Sequence, residues 1–450
     1  MLYDTIFALA SGGGKVGVAV YRVSGPGAAT VFQALTASSL PEARRAVRVR
    51  VADGKGGDII DYGLALWFPA PGSFTGEDVL EFHLHGGRAV NTAMLEVLAA
   101  LPGLRPAEAG EFTRRAFENG KLDLTEAEGL ADLVEAETAA QRRQALGQIE
   151  GAIADIYDRW REDILAAIAR FEAAIDFAEE DLPGGLRAEV ARTVVRLDGE
   201  LARHLDDGGR GQRLRDGISI AILGPPNAGK SSLLNRLANR DMALVSARAG
   251  TTRDVIEAHL DLGGYPVVLA DTAGLRDASG GLDDDLESQG VHRALARAAS
   301  AHLKILVFDG ALWPELDNHT LEHWDRNAFV VVNKSDLSPD LQAASSVPGE
   351  AELLALSTKT GAGIDTLLAR LCNRVEELCA GGGGPALTRV RHRLALEECR
   401  EALQRFRETE LVELAAEDLR LAARALGRIT GRVDVEDILD RIFSEFCIGK

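Results

Sequence analysis

The sequence predicts a multidomain α/β chain: an N-terminal α+β domain, then an α-helical domain interrupted by an inserted nucleotide-binding α/β domain. Three observations carry this. The first 118 residues alternate short β-like runs with glycine and proline turns. Two later stretches carry apolar residues at helical spacing with few breakers. Between them, Gly224-Pro-Pro-Asn-Ala-Gly-Lys-Ser231 fits the phosphate-cradling pattern G-x4-G-K-[ST] and stands between a strand-like and a helix-like run.

In the N-terminal segment, Val16-Gly-Val-Ala-Val20, Gly63-Leu-Ala-Leu-Trp-Phe68 and Val79-Leu-Glu-Phe-His83 read as strands. The polar residues Arg22, Glu81, His85 and Lys121 stand beside such segments and would either line a pocket or cap secondary structure. From Leu122 to about Arg213, Ile149, Ile153, Ile156, Trp160, Ile164 and Ile168 recur at three and four, so this stretch is helical. Gly381-Gly-Gly-Gly384-Pro385 is a flexible linker, and Arg389 to Ile442 is helical again. The expected domains are 1–118, a helical part at 119–214, the nucleotide-binding domain at 215–379, and a second helical part at 380–450. Domain insertion is tolerated where chain ends lie close together, which makes the two helical stretches one discontinuous domain.

The inserted segment names its nucleotide. Ile218-Ser-Ile-Ala-Ile-Leu223 is a buried strand, and Ser232-Leu-Leu-Asn-Arg-Leu237 opens a helix. Loop and helix N–H groups from Asn227, Ala228, Gly229 and Ser232 would face phosphate, with Lys230 on the terminal phosphates and Ser231 on Mg²⁺. Asp271-Thr-Ala-Gly274 follows the strand Tyr265-Pro-Val-Val-Leu-Ala270, so Asp271 can approach the Mg²⁺ shell. Thr272 and Ala273 lead to the Gly274 amide, which can face the γ-phosphate. Thr252, in Gly250-Thr-Thr-Arg-Asp254, can bring a hydroxyl onto the metal. Asn333-Lys-Ser-Asp336 follows the strand Ala328-Phe-Val-Val-Val332. The Asp336 carboxylate can accept from N1 and the exocyclic amine of guanine, donors that adenine does not offer in that arrangement. Lys334 belongs to the same motif, and Ser357, Thr358 and Lys359 complete the base pocket after the strand-like Glu352-Leu-Leu-Ala-Leu356. Together these elements, in this order at strand carboxyl ends, indicate a GTP-binding P-loop domain of the Ras-like type.

Water activation differs from that of many small GTPases. The position just after the D-x-x-G element is Leu275, which can neither donate nor accept. Arg253 and Arg276 are either arginine fingers or surface arginines. Asn227 offers another source of charge. Its amide oxygen, with backbone carbonyls at Ser246, Arg248 and Thr251 in the loop before Thr252, suits a monovalent cation such as K⁺ beside the phosphates. Ser246, Ala247, Arg248, Ala249, Gly250 and Thr251 are all expected to contact GTP. The expected K⁺ ligands are Asn227, Ser246, Arg248 and Thr251.

The loop asparagine, Gly250-Thr-Thr-Arg-Asp254, Asp271-Thr-Ala-Gly-Leu-Arg276 and the chain end Phe446-Cys-Ile-Gly-Lys450 resemble the MnmE (TrmE) family of tRNA modification GTPases. So do Arg22-Val-Ser-Gly25, Ser73-Phe-Thr-Gly-Glu-Asp78, His85-Gly-Gly87, Gly110-Glu-Phe-Thr113 and Arg115-Ala-Phe-Glu-Asn-Gly-Lys-Leu-Asp-Leu124. The resemblance covers essentially the whole chain and lies within the TrmE-Era-Der-like GTPase superfamily. It implies an N-terminal domain similar to folate-binding domains, in which Arg22, Glu81, Lys121 and Lys450 contact a 5,6,7,8-tetrahydrofolate derivative in the 5-formyl or methylene form. It also implies a homodimer through that domain and a heterotetramer with the FAD-binding protein MnmG (GidA). The joint activity would place a 5-carboxymethylaminomethyl-type group on the wobble uridine of certain tRNAs. The family's water-orienting glutamate lies three residues before a glycine that opens a helix, which selects Glu287. The acidic segment around it is longer here than in the family, so Asp283, Asp284 and Asp285 stand as alternatives. Cys447 is either an unremarkable thiol or a nucleophile or acid near the folate, with Lys450 close enough to favour a thiolate.

Composition adds bounds. The 450 residues, 46% hydrophobic, leave room for about three domains. No apolar run is long enough to span a bilayer, and no basic-then-apolar leader opens the chain. Four cysteines without a C-x-x-C pair fit a reducing cytoplasm. A net charge of −19 is unexpected for an RNA partner, so contact with tRNA must use local patches. Arg44, Arg45, Arg48 and Arg50 form one candidate, and Arg389, Arg391 and Arg393 another; a solvated face is the alternative for both. Gly12-Gly-Gly14 lacks dinucleotide-fingerprint spacing, so the flavin would belong to the partner. Two other functions fit parts of the chain. A ribosome-assembly GTPase of the Era or Der type would carry a terminal RNA-binding module or a second GTPase domain. A GTP-gated scaffold would leave wobble uridines unchanged on deletion.

Overall fold

The computed structural model describes residues 4–53, 57–176, 186–239, 257–271, 299–337, 353–380, 385–409, 411–433, 436–444 and 446–449. These divide into two compact units, the first of 1–131, 148–197 and 398–450, the second of 132–147 and 198–397.

The first unit is built on strands β1 (Thr5–Leu9), β2 (Val16–Ser24), β3 (Val47–Ala52), β4 (Ile59–Phe68), β5 (Val79–Gly86) and β6 (Leu104–Pro106). Their order is β3-β4-β5-β2-β1-β6, antiparallel except where β1 meets β6. Alternation along the strands sorts the side chains. Tyr21, Val23, Leu80, Phe82 and Leu84 are buried under the helices Ala28–Thr36 and Arg88–Ala100, where Phe32 stacks on Phe82 with ring centroids 6.3 Å apart. The intervening residues, Arg22, Glu81 and His83 among them, take the opposite face. There Tyr62 and Leu64 remain 47% and 43% exposed. The Tyr21 hydroxyl donates to Asn91, and burial, then Asp61, pushes its phenol up to about 12.

In the same unit the helices Ala154–Asp176 and Val412–Thr430 pack together, and Phe171 meets Phe406 edge-on at 5.5 Å. Ion pairs Arg420–Glu172 and Arg432–Asp158 lie along this seam. After the helix Glu436–Ser444 the chain returns to the N-terminal sheet. Ile448 bridges antiparallel to Ala109, and Gly110 N donates to the Cys447 carbonyl at 3.5 Å. Gly449 has φ 101°, and a Cβ there would meet the Ala10 Cα at 2.9 Å, so the return needs glycine.

The second unit holds β7 (Ile218–Leu223), β8 (Glu257–Leu262), β9 (Tyr265–Asp271), β10 (Leu303–Asp309), β11 (Ala328–Asn333) and β12 (Leu353–Ala355). The order is β12-β11-β10-β7-β9-β8, parallel except for the β8–β9 pair. Ile220, Ile222, Leu303, Ile305, Val307 and Val331 are fully buried, as continuous apolar runs in a covered parallel sheet must be. The helices Lys230–Ala238 and Ile364–Cys379 supply much of that cover. All four cysteines are free thiols: Cys379 and Cys399 buried, Cys372 half-buried, Cys447 exposed. Burial pushes Cys379 up to about 11. Among the described residues no helix is long and apolar enough to cross a membrane.

Candidate functional site

Strand β7 ends at Leu223, and the loop 224–229 delivers the chain into the helix Lys230–Ala238, so the helix N-terminus opens at the carboxyl edge of the sheet. β7 lies between β10 and β9, a crossover point where open α/β sheets bind ligands. Asn227 is exposed in the left-handed region, φ 63°, a conformation asparagine tolerates better than most residues. Lys230 is 9% exposed and donates to the Pro225 carbonyl at 2.9 Å, lying across its own loop.

The base side is clipped to this loop by Asn333. Its Nδ2 donates to the Ala228 carbonyl at 2.8 Å, and its Oδ1 accepts from Thr358 N at 3.0 Å. A side chain at Gly229 would run into the Asn333 amide, which explains the glycine there. Asp336 accepts from the Ser357 hydroxyl at 2.6 Å; that bond, aided by Lys359, holds its carboxyl below the ordinary carboxylate range. Asn333 thus joins Ala228 of the phosphate loop to Thr358, and Asp336 joins Ser357, while Ser231 and Ser232 lie in the first turn of the helix. Lys334 Nζ pairs with Asp309 Oδ2 at 2.6 Å, a partner the sequence reading missed. The signal was present: Asp309 closes an apolar run, the same place that marked Asp271.

Asp271 closes β9, while its side chain lies outside the described residues. Ser246, Ala247, Arg248, Ala249, Gly250, Thr251, Thr252, Thr272, Ala273, Gly274, Glu287 and Lys450 lie outside the described residues altogether. Among the described residues no group of three or more His, Cys, Asp or Glu is placed to hold a metal.

A second polar constellation sits on the N-terminal sheet. Arg22 on β2 and Glu81 on β5 are cross-strand partners, and Arg22 Nε meets Glu81 Oε1 at 2.9 Å. The Arg22 guanidinium lies 5.7 Å from the ring centroids of both Phe74 and Phe112. Its Nη1 reaches the Gly449 carbonyl at 3.5 Å, so the chain end comes beside it. Lys121 Nζ donates to the Pro71 carbonyl at 3.1 Å and runs against Gly76, on the same 71–78 turn that carries Phe74. His85 is turned to Asp61 at 3.0 Å instead. Sequence reading missed Phe74 and Phe112 as neighbours of Arg22, because nothing in their spacing pairs them with β2.

The two basic runs fare differently. Arg389 pairs with Asp132 at 2.9 Å, and Arg393 with Asp207 at 2.6 Å, so both anchor the second unit internally. Arg44, Arg45, Arg48 and Arg50 are exposed, with Arg48 over the Tyr62 ring at 5.8 Å.

A family model described as the MnmE helical domain matches residues 124–447, and one described as the GTP-binding protein TrmE N-terminus matches 5–121. The tRNA modification GTPase MnmE of Paramagnetospirillum magneticum is 59% identical over 447 residues, covering 99% of this chain and 100% of its own. That of Rhodospirillum rubrum is 53% identical over 462 residues, covering 100% of both. The mitochondrial 5-taurinomethyluridine tRNA synthase subunit GTPB3 of Danio rerio is 48% identical over 471 residues, covering 99% of this chain and 93% of its own.

Fold and site define a P-loop GTP hydrolase with a nucleotide loop at the carboxyl edge of a parallel sheet. Within that class, the chain belongs to the MnmE family of tRNA modification GTPases.

Proposed function

We propose that this chain is a K⁺-dependent GTPase that acts with a flavoprotein partner of the MnmG type. Together they install a 5-carboxymethylaminomethyl-type group on the wobble uridine of certain tRNAs. One observation carries most of the weight. The Ala228–Asn333–Thr358 clip and the Asp336–Ser357 pair join phosphate loop and base motif in the second unit. In the same chain, the first unit pairs Arg22 with Glu81 and holds the Arg22 guanidinium 5.7 Å from the ring centroids of both Phe74 and Phe112.

The nucleotide site has the parts for GTP binding. Helix N–H groups and Lys230 suit the phosphates, Ser231 and Thr252 the Mg²⁺, and Asp336 the guanine edge. Asn227 fits a monovalent cation, since it offers an amide oxygen from an exposed left-handed position within the phosphate loop. K⁺ held there with carbonyls of Ser246, Arg248 and Thr251 would supply positive charge where phosphoryl transfer needs it. Glu287 would orient the attacking water.

The first unit suits a tetrahydrofolate derivative. Glu81 can accept from ring N–H groups, and Arg22, Lys121 and Lys450 can meet carboxylates. Such a cofactor supplies the one-carbon unit attached to the uridine ring, with Cys447 nearby as a candidate acid or nucleophile. The exposed Tyr62 and Leu64 on the open sheet face support a homodimer formed through this unit. Arg44, Arg45, Arg48 and Arg50 remain as surface for tRNA phosphates, and the reaction belongs to the cytoplasm. The domains we assign are 1–118, 119–214 with 380–450, and 215–379.

The test is a mass-spectrometric survey of wobble uridines in a deletion strain, complemented with the wild-type gene or with Arg22→Ala. Modified uridine should vanish on deletion and return only with the wild type. Unchanged uridines in the deletion strain would leave a GTP-gated scaffold instead.

A further inference from the structure

Lys334 belongs to the guanine motif but does not make the Asp336–Ser357 or Asn333 contacts described above. It occupies the left-handed region, φ 61°, a backbone state disfavoured for a long side chain. Its ammonium is tied to Asp309 Oδ2 at 2.6 Å, with the lysine side chain 32% and the aspartate side chain 13% exposed. Asp309 is itself fixed. It ends β10 in register with Asn333, and its other oxygen accepts from Ala311 N at 3.0 Å, capping the 3-10 turn Gly310–Leu312. That turn presses on the guanine motif: a Cβ at Gly310 would meet the Asn333 carbonyl at 2.6 Å and that of Lys334 at 3.3 Å.

We infer that Asp309 is a positioning residue for guanine-nucleotide binding, acting through Lys334. This rests on the nucleotide site proposed above. Asp309 holds the far end of the lysine stem while Asn333 holds the motif's backbone against the phosphate loop, so the stem is arranged before nucleotide arrives. Preorganisation of that kind lowers the ordering cost of binding and shows mainly as slower dissociation. The side chain acts from the neighbouring strand, outside the four-residue motif, and meets the motif through its ion pair with Lys334.

The test uses the full chain. Asp309→Ser keeps an oxygen that can cap Ala311 N but is too short to reach Lys334. Release of a fluorescent GDP analogue should quicken about tenfold, the size of one charge-assisted hydrogen bond. KM for GTP should rise by a similar factor while kcat moves less than about twofold. The preference for GTP over inosine triphosphate should persist in Asp309→Ser, because Asp336 reads the exocyclic amine, and collapse in Asp336→Ala. In a Lys334→Ala background Asp309→Ser should add nothing. Should Asp309→Ser fail to fold, Asp309→Asn is read the same way, with an expected change of about threefold from loss of the charge. Unchanged release in a folded variant, or an undiminished effect without Lys334, overturns the inference. If Asp336→Ala also leaves GTP affinity intact, the guanine site itself is misassigned; if Asp336→Ala weakens GTP and Asp309→Ser does not, the inference alone falls.

Discussion

In the parallel sheet of the second unit, the phosphate loop follows β7, the guanine motif follows β11, and Ser357 lies just beyond β12, each a short motif at a strand's carboxyl end. The antiparallel sheet of the first unit builds its polar site from distant pieces. Arg22 meets Glu81 across 59 residues and the Gly449 carbonyl across 427. A parallel sheet gathers strand ends on one edge, so contiguous motifs converge once the strand order is set. An antiparallel face gathers residues by register and by whatever the chain end brings back. The first kind of site is assembled from short contiguous motifs; the second also draws on the return of 446–449 to the sheet.

Four experiments test that contrast, in descending order of expected effect. The largest effect is expected at Asn227. Hydrolysis should be fast in K⁺ and slow in Na⁺, and Asn227→Ala should remove the difference at a cost of about 10²–10³ in rate, with nucleotide binding largely intact. Equal wild-type rates in the two salts would sink the cation proposal.

Next comes independence of the two sites. Glu287→Ala should lower kcat for GTP by about 10²-fold with little change in affinity. Arg22→Ala should abolish folate binding and tRNA modification yet leave GTP hydrolysis near normal, because the two sites belong to different sheets. Wild-type turnover in Glu287→Ala would move the water-orienting role to Asp283, Asp284 or Asp285.

A change of specificity should follow from Asp336→Asn. The amide can donate to the xanthine oxygen, so preference should shift from GTP toward xanthosine triphosphate. An unaltered preference would show that Asp336 does not read the base.

The smallest effect is on acid stability of the first unit. Arg105, by hydrogen bond and charge, then Arg115, holds the Asp4 carboxyl below its ordinary 3.8. Burial pushes Glu111 up from 4.5, but hydrogen bonds from Arg105, Glu108 N and Arg115 outweigh it and leave it lowered. Both groups bind protons more weakly folded than unfolded. Their contribution is therefore present above those ordinary values and is lost as pH falls through the lowered ones. Asp123 and Glu126, raised chiefly by burial, run the other way. Thermal melts below about pH 4.5 should show a steeper loss for the wild type than for Arg105→Ala. Parallel curves would mean the network adds nothing.

Much of the second unit was legible because buried parallel strands are continuous apolar runs and phosphate loops need glycine, lysine and a hydroxyl at set spacing. Asn333 illustrates the limit. Its motif was plain, but its task of clipping Ala228 to Thr358 appears only when three strand ends meet. In the first unit, Arg22 and Glu81 were singled out, whereas Phe74, Phe112 and the returning chain end were not joined to them by any period. Arg389 and Arg393 looked like surface charge, and their carboxylate partners, Asp132 and Asp207, lie far away in sequence.

The sequence by itself determined the strand and helix runs, the nucleotide class and the family, because local hydrogen bonding and phosphate chemistry constrain neighbouring residues. Tertiary structure alone decided that Asp309 grips Lys334, that Arg22 meets the rings of Phe74 and Phe112, and that Gly449 packs against Leu9 and Ala10. Those contacts are set by register and close packing between residues that no local period relates.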